Sequence, residues 1–374
     1  MTGAVDIKGS APPKLLDAFR ANFAEGAELG ARFCAFRDGE LVADLSAGWS
    51  DRERTIPFAE DTLVCVYSSG KAAMATLVAK AVSDGRLDYE RAIAADWPEF
   101  AAEGKAAITL AMALSHQAGL CGFADEIPPD EWIRWDNICA RIAAMAPLWP
   151  PGSAAGYHPQ TVGYIVGEVF RRRTGRTIGA ALKETGLDIH CGMSAAEAAR
   201  VAFTPKPPSA PVHRAGSRYT EIAFLKPWSA AAKVSREDWM AAEIPASNMH
   251  ATARALAEIV HPLANAGVDA KGRAVIDAAA VEAALTPRIS GDDLVLPFNL
   301  AWTAGLMLNT NGHFGPSPSA YGHPGFGGSA VMIDPKRRVS AAYVMNKMSA
   351  SLAGDPRAVR LFAALHDSLE GPGA

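Results

Sequence analysis

Apolar positions recur along the chain in two rhythms. Met74, Leu77, Val78, Ala81 and Val82 follow the i, i+3, i+4, i+7, i+8 spacing of one buried helical stripe, and Gly85 stands where a left-handed cap would close it. The same reasoning predicts helices over 13–25, Ile108 to Leu114, Thr161 to Thr174 (closed by Gly175), Ala251 to Ala264, Ala278 to Leu285 and 355–369. Short apolar runs predict strands over 31–37, 40–46, 328–333 and 339–345. Asp38-Gly39 joins the first two; both positions tolerate positive φ, which is the requirement of a tight hairpin. Strand material at both ends, with helices between, predicts one sheet built from the two termini. The expected division is a sheet lobe of about 1–66 and 265–374 and an inserted helical lobe of about 67–264. Residues 203–230 break the pattern: they are Pro-rich and irregular, with Tyr219, Phe224 and Trp228 among them. A loop this long is usually functional or mobile. We read it as a flap over a pocket, with a disordered insertion as the alternative.

Composition narrows the class. The 374 residues are 49% hydrophobic and 20% charged, the balance of a globular chain with a large core. A net charge of −4 and the lack of a long basic run offer no field for nucleic acid. Arg171-Arg172-Arg173 reads as a solvated helix face. No apolar run reaches the ~18 residues of a membrane span, and the N-terminus has no basic-then-apolar leader. The five cysteines are scattered and never spaced Cys-x-x-Cys, so reduced thiols in a cytoplasm are expected and a zinc site is not.

Chemistry concentrates around Val64-Cys65-Val66-Tyr67-Ser68-Ser69-Gly70-Lys71. Ser68 and Lys71 are three apart, so on a helix they share a face. A serine hydroxyl needs an adjacent base, and a lysine becomes one when burial lowers its pKa. Taken alone, Ser-x-x-Lys is weak, because a serine at a helix start is usually only a cap. His116 reads as packed at a helix end. There is no Gly-x-Ser-x-Gly elbow, no phosphate-binding Walker loop and no His-Glu-x-x-His pair. The glycines at 322–328 precede a strand and so do not form a dinucleotide fingerprint. No metal and no cofactor are expected.

Three ordered motifs then make a specific resemblance. Ser68-Ser69-Gly70-Lys71, Tyr157 in Pro151-Gly152-Ser153-Ala154-Ala155-Gly156-Tyr157-His158-Pro159-Gln160, and His323-Pro324-Gly325 follow one another. Over roughly 15–370 the chain resembles the serine β-lactamase and penicillin-binding-protein superfamily, and is most similar to the class C-like family VIII carboxylesterases. The resemblance implies an α/β (α+β) two-lobe fold: an antiparallel sheet flanked by helices plus a mostly helical lobe. It implies a serine hydrolase cleaving a small-molecule ester through an acyl-Ser68 intermediate. Lys71 and Tyr157 would be base and proton shuttle, in an order left open. The oxyanion donors would be the backbone N–H groups of Ser68 and Phe326. His323, Gly325, Trp149, Tyr219 and Trp228 are expected to contact substrate, with Phe224 and Trp302 as further candidate walls. Two departures stand out. Pro159 occupies a position that is Asn in β-lactamases and peptidases, and the neighbouring Gln160 would point elsewhere. His323 replaces a Lys that anchors a substrate carboxylate; an unperturbed His is mostly neutral at pH 7. The loss of that anchor favours a neutral ester. A β-lactamase, a D-amino-acid peptidase or amidase, an acyltransferase, and a non-catalytic binding module are the alternatives.

Overall fold

In the computed structural model, which describes residues 5–370, the two chain ends meet in one antiparallel sheet. Its strands are β1 (Ile7–Ser10), β2 (Gly30–Arg37), β3 (Glu40–Gly48), β4 (Ile289–Asp292), β5 (Asn299–Trp302), β6 (Met307–Leu308), β7 (Tyr321–Pro324), β8 (Ala330–Asp334) and β9 (Val339–Met345). They lie in the order β1-β3-β2-β9-β8-β7-β6-β5-β4. The N-terminal strands therefore pair with the C-terminal ones through β2 and β9, with Phe33 opposite Tyr343 and Ala35 opposite Ala341. The helices of eight residues or more are α1 (Pro13–Ala24), α2 (Gly70–Ser83), α3 (Trp135–Ala144), α4 (Thr161–Thr174), α5 (Ala253–Ala264), α6 (Ala278–Leu285) and α7 (Pro356–Leu369).

Strand side chains alternate between two faces, and here both faces are covered. On one face, Leu15 and Phe19 of α1 and Leu361 and Phe362 of α7 pack with Phe33, Ala341 and Tyr343. On the other, Leu256 and Val260 of α5 meet Cys34, Phe36, Ala342 and Val344. Hence β9 is buried along its whole length and reads as an unbroken apolar run. α2 is buried on nearly every side. Its alanines let α5 and α6 close against it. A small three-stranded sheet of Val64–Cys65, His250–Ala251 and Ile189–His190 brings the chain to the start of α2.

The expected α/β class, an antiparallel sheet flanked by helices, appears. Helices Thr161–Thr174 and Ala278–Leu285 and strand 339–345 have the predicted bounds. The strand expected from 328 begins only at Ala330, because Gly327 (φ 89°) and Gly328 (φ 127°) form a turn. His323-Pro324 does not open that strand but lies on the separate strand β7. Strands β1 and β4–β7 went unread because they are two to four residues long. The 203–230 stretch is mostly irregular, with one helical turn at Arg218–Thr220 running into a π-turn at Glu221–Leu225. Among the described residues all five cysteines are free, and no helix is long and apolar enough to cross a membrane.

Phe362 tests the closure of the sheet by the terminal helices. It is 1% exposed and its ring lies 6.1 Å from that of Phe33. Phe362→Ala is expected to cost about 3–5 kcal/mol of stability. Urea denaturation measures this, and a loss below 1 kcal/mol would mean that α7 is not an integral part of the core.

Candidate active site

α2 does not begin at Ser68. A single 3-10 turn, Tyr67–Ser69, leads into it. Tyr67 has φ 47°, a left-handed conformation that costs a non-glycine residue about 1–2 kcal/mol. The Ser68 hydroxyl makes no capping bond. Instead, Tyr157 OH donates to Ser68 Oγ at 2.7 Å, and Lys71 Nζ lies 2.9 Å from the same oxygen. Nζ also donates to the carbonyls of Pro159 at 3.0 Å and Ala246 at 2.7 Å. Lys71 is 2% exposed and forms no ion pair among the described residues. Burial without a counter-charge drives its pKa well below the usual lysine value. The same burial pushes the Tyr157 phenol up, so it stays protonated.

Two of the sequence expectations change meaning here. Pro159 has no side-chain donor, yet its carbonyl is one of the groups holding Lys71. Gln160 does point away: its Oε1 accepts from Ser247 Oγ at 2.6 Å. That bond draws in the segment whose Ala246 carbonyl also holds Lys71.

The other wall is strand β7. Ser69 Oγ donates to the His323 carbonyl at 3.3 Å and lies 3.2 Å from Ser329 Oγ, which donates to the Val66 carbonyl at 2.8 Å. This docking by itself requires glycine at 325. A Cβ there would stand 2.1 Å from Ser329 Oγ and 2.3 Å from the Val66 carbonyl oxygen. The Phe326 ring packs edge-on against Tyr67 at 5.8 Å. Among the described residues, neither the Ser68 nor the Phe326 amide finds a protein acceptor. His323 is fully buried, 6.0 Å ring to ring from Tyr157. Its Nδ1 donates to the Pro324 carbonyl at 2.8 Å, so Nε2 is a bare acceptor, and it has no partner. Desolvation and the nearby Lys71 take its pKa down to about 3.

The expected aromatic residues divide into three groups. Trp302 stacks on Tyr157 at 5.9 Å and 11°, and Phe224 stacks on it at 6.3 Å, so these two set the plane of the phenol. Trp149 and Tyr219 pack on each other at 5.1 Å. The Trp149 indole donates to the Ala154 carbonyl at 3.1 Å, and the pair buttresses the Tyr157 loop from behind. Trp228 is not brought to the cluster. Its indole donates to the Phe123 carbonyl at 3.0 Å and its own carbonyl accepts from Trp132, pinning the 203–230 segment to the helical core.

A beta-lactamase family model matches residues 16–364. The chain belongs to the beta-lactamase family. It is 30% identical to the esterase/beta-lactamase LipL of Mycobacterium tuberculosis, over 92% of this chain and 84% of that one. Among solved structures, a penicillin-binding-protein homologue from Caulobacter crescentus is 48% identical with a TM-score of 0.94, covering 97% of this chain and all of that one. A family VIII carboxylesterase is 36% identical with a TM-score of 0.89, over 97% of this chain and all of that one. The protein is thus an enzyme, a serine hydrolase of the beta-lactamase-like kind.

Some parts of this beta-lactamase-family site had no signal in the sequence. Arg357, at the start of α7, is buried and donates to the Gly327 carbonyl at 2.9 Å, behind the turn that carries Phe326. Asp355 and Glu28 balance it. Asp355-Pro356 could be read as a helix start, but nothing marked Arg357 as reaching back to residue 327. His116 and His158 are buried beside Tyr157. His158 N–H donates to His116 Nδ1 at 3.2 Å, and His158 Nε2 accepts from the Leu120 amide at 2.8 Å. A separate groove of about 460 Å³ runs along the far end of α2, past Leu77, Lys80, Phe170 and Ile259, and shares no residue with the Ser68 cluster.

Burial keeps these rings neutral: His116 falls well below the usual range, His158 and His323 to about 3, and His250 to about 4. Unfolded, each ionises near ~6.5. Below that pH the unfolded chain binds more protons, so stability falls as pH drops, by roughly 1.4 kcal/mol per pH unit for each ring. Glu28, raised to about 7, and Asp293, raised to about 6, oppose this without outnumbering the histidines. Urea midpoints at pH 7 and pH 5 should show lower stability at pH 5, and a higher midpoint at pH 5 would overturn this account.

Proposed function

We propose that the enzyme hydrolyses neutral carboxylic esters through an acyl-Ser68 intermediate. The observation that carries this reading is Ser68 Oγ lying between Lys71 Nζ, 2.9 Å away, and Tyr157 OH, 2.7 Å away. A neutral amine has two N–H bonds, and the carbonyls of Pro159 and Ala246 take both. Its lone pair is then left for the Ser68 O–H, which makes Lys71 the base. Ser68 attacks the ester carbonyl while its proton moves to Lys71. The oxyanion is received by the Ser68 and Phe326 amides, each such donor being worth about 3 kcal/mol. Tyr157, a neutral phenol, passes a proton to the departing alkoxide and is reprotonated from Lys71. Water then cleaves the acyl-enzyme by the same steps in reverse order, giving the carboxylic acid and free Ser68.

Two features favour an uncharged ester. His323 stands where a cationic Lys would hold a carboxylate, and burial keeps it neutral. Aromatic rings line the Tyr157 side. The names of the relatives, an esterase/beta-lactamase and a family VIII carboxylesterase, agree with ester cleavage. The first name also keeps β-lactam hydrolysis as a second reading. Turnover of nitrophenyl butyrate well above that of nitrocefin is expected, and the reverse ratio would make the second reading the better one.

Ser68→Ala is expected to abolish ester turnover and labelling by a fluorophosphonate, without change in melting temperature. Intact-mass analysis with peptide mapping checks it, and an adduct elsewhere in an active protein would overturn the assignment. Lys71→Ala should lower kcat/KM by roughly 10²–10⁴. Because the active form of Lys71 is the neutral one, wild-type kcat/KM should hold at neutral pH and fall on the acid side as the amine protonates. A rate that rises steadily towards acid would exclude Lys71 as the base.

A further inference from the structure

Tyr157 sits on a loop whose placement decides whether its phenol reaches Ser68. One buried acid holds that loop and has no part in the chemistry above. Asp293 lies in the turn between β4 and β5 and is 0% exposed. Its Oδ1 accepts three backbone N–H groups: Tyr157 at 3.0 Å, Val295 at 2.9 Å and Leu296 at 2.8 Å. No cation pairs with the carboxylate among the described residues. The Trp302 indole N–H approaches it but falls short of a full hydrogen bond, leaving Oδ2 without a partner. Burying an uncompensated carboxylate is costly, and a turn needs no such group merely to close. The one bond of the three that leaves the turn goes to the amide of Tyr157.

The outer side of this turn faces the 203–230 segment. Arg214 Nη1 donates to the Asp293 carbonyl at 2.6 Å, Ser217 Oγ to the Leu294 carbonyl at 2.7 Å, and Thr220 Oγ1 to the Val295 carbonyl at 2.6 Å. Leu294 N–H donates in turn to the Ala155 carbonyl at 2.9 Å. The same segment supplies Phe224, which stacks on the Tyr157 ring. Backbone and ring of Tyr157 are therefore held from one side by a single hydrogen-bonded assembly.

We propose that Asp293 is a positioning residue for Tyr157, with the 293–296 turn transmitting the hold of the 203–230 segment to the phenol. This rests on the proposed role of Tyr157 in proton transfer. Loss of the Oδ1 anchor frees the Tyr157 amide, and a shift of about 1 Å at the phenol costs on the order of 100-fold in rate.

A double-mutant cycle tests it, read as kcat/KM on nitrophenyl butyrate with melting curves to check folding. Asp293→Ala is expected to lose about 100-fold in the wild-type background and less than about threefold in the Tyr157→Phe background, because the residue acts through a group already removed. Asp293→Asn keeps a carbonyl oxygen for the three amides and should stay within about fivefold of wild type. Where Asp293→Ala does not fold, Asp293→Glu, which keeps the charge but displaces the oxygen, enters the same cycle with the same expectation. An equal loss in both backgrounds would overturn the proposal while leaving the Tyr157 role standing. A Tyr157→Phe enzyme with the wild-type rate would instead overturn the role of Tyr157, and the proposal with it.

Discussion

An amine buried without a counter-charge is the constraint around which this site is built. Taking a charged lysine out of water costs several kcal/mol, and among the described residues no carboxylate pairs with it to offset that cost. The outcome is a lysine whose pKa falls and whose N–H bonds go to two carbonyls, 88 and 175 residues away in sequence. The Tyr157 loop, the 244–248 segment and the start of α2 must all meet for that to happen. Under the proposed chemistry, the force that keeps Lys71 neutral also makes it a base.

The surroundings obey the same rule. His116, His158 and His323 are neutral beside Lys71, each with its tautomer set by a backbone group. The strong ionic cluster is kept on the far side of β7. There Arg357, Asp355 and Glu28 neutralise one another and grip the turn that carries Phe326. Charge thus stiffens the frame, while the cleft presents neutral donors and acceptors. The neutral His323 offers no cation to an anionic acyl group, which accords with the proposed preference for neutral esters.

Much of the frame was legible. Apolar periodicity located α2, α4, α6, α7 and the β2–β3 hairpin, since each is long enough for its own period to show. The short strands β4–β7 were not legible, because four residues carry no period and their pairing depends on partners elsewhere in the chain. In the site, Ser68, Lys71 and Tyr157 could be named from motif order. The reason for Gly325 could not, as it lies in the approach of Val66 and Ser69. The place of Trp228 could not be read, because an aromatic residue in a loop looks the same whether it lines a cleft or anchors the loop to a core.

The sequence by itself determined the local matters: that Ser68 and Lys71, three apart, come together at the start of a helix, and that both ends of the chain carry strand material for one sheet. Those follow from spacing and residue type. Only the tertiary structure decided the electrostatic state of the site. Whether Lys71 is neutral, which carbonyls bind it, and which oxygen anchors Tyr157 depend on groups brought together from positions 71, 157, 159, 246 and 293. Desolvation and hydrogen bonding act through space, so their strength cannot be read from order along the chain.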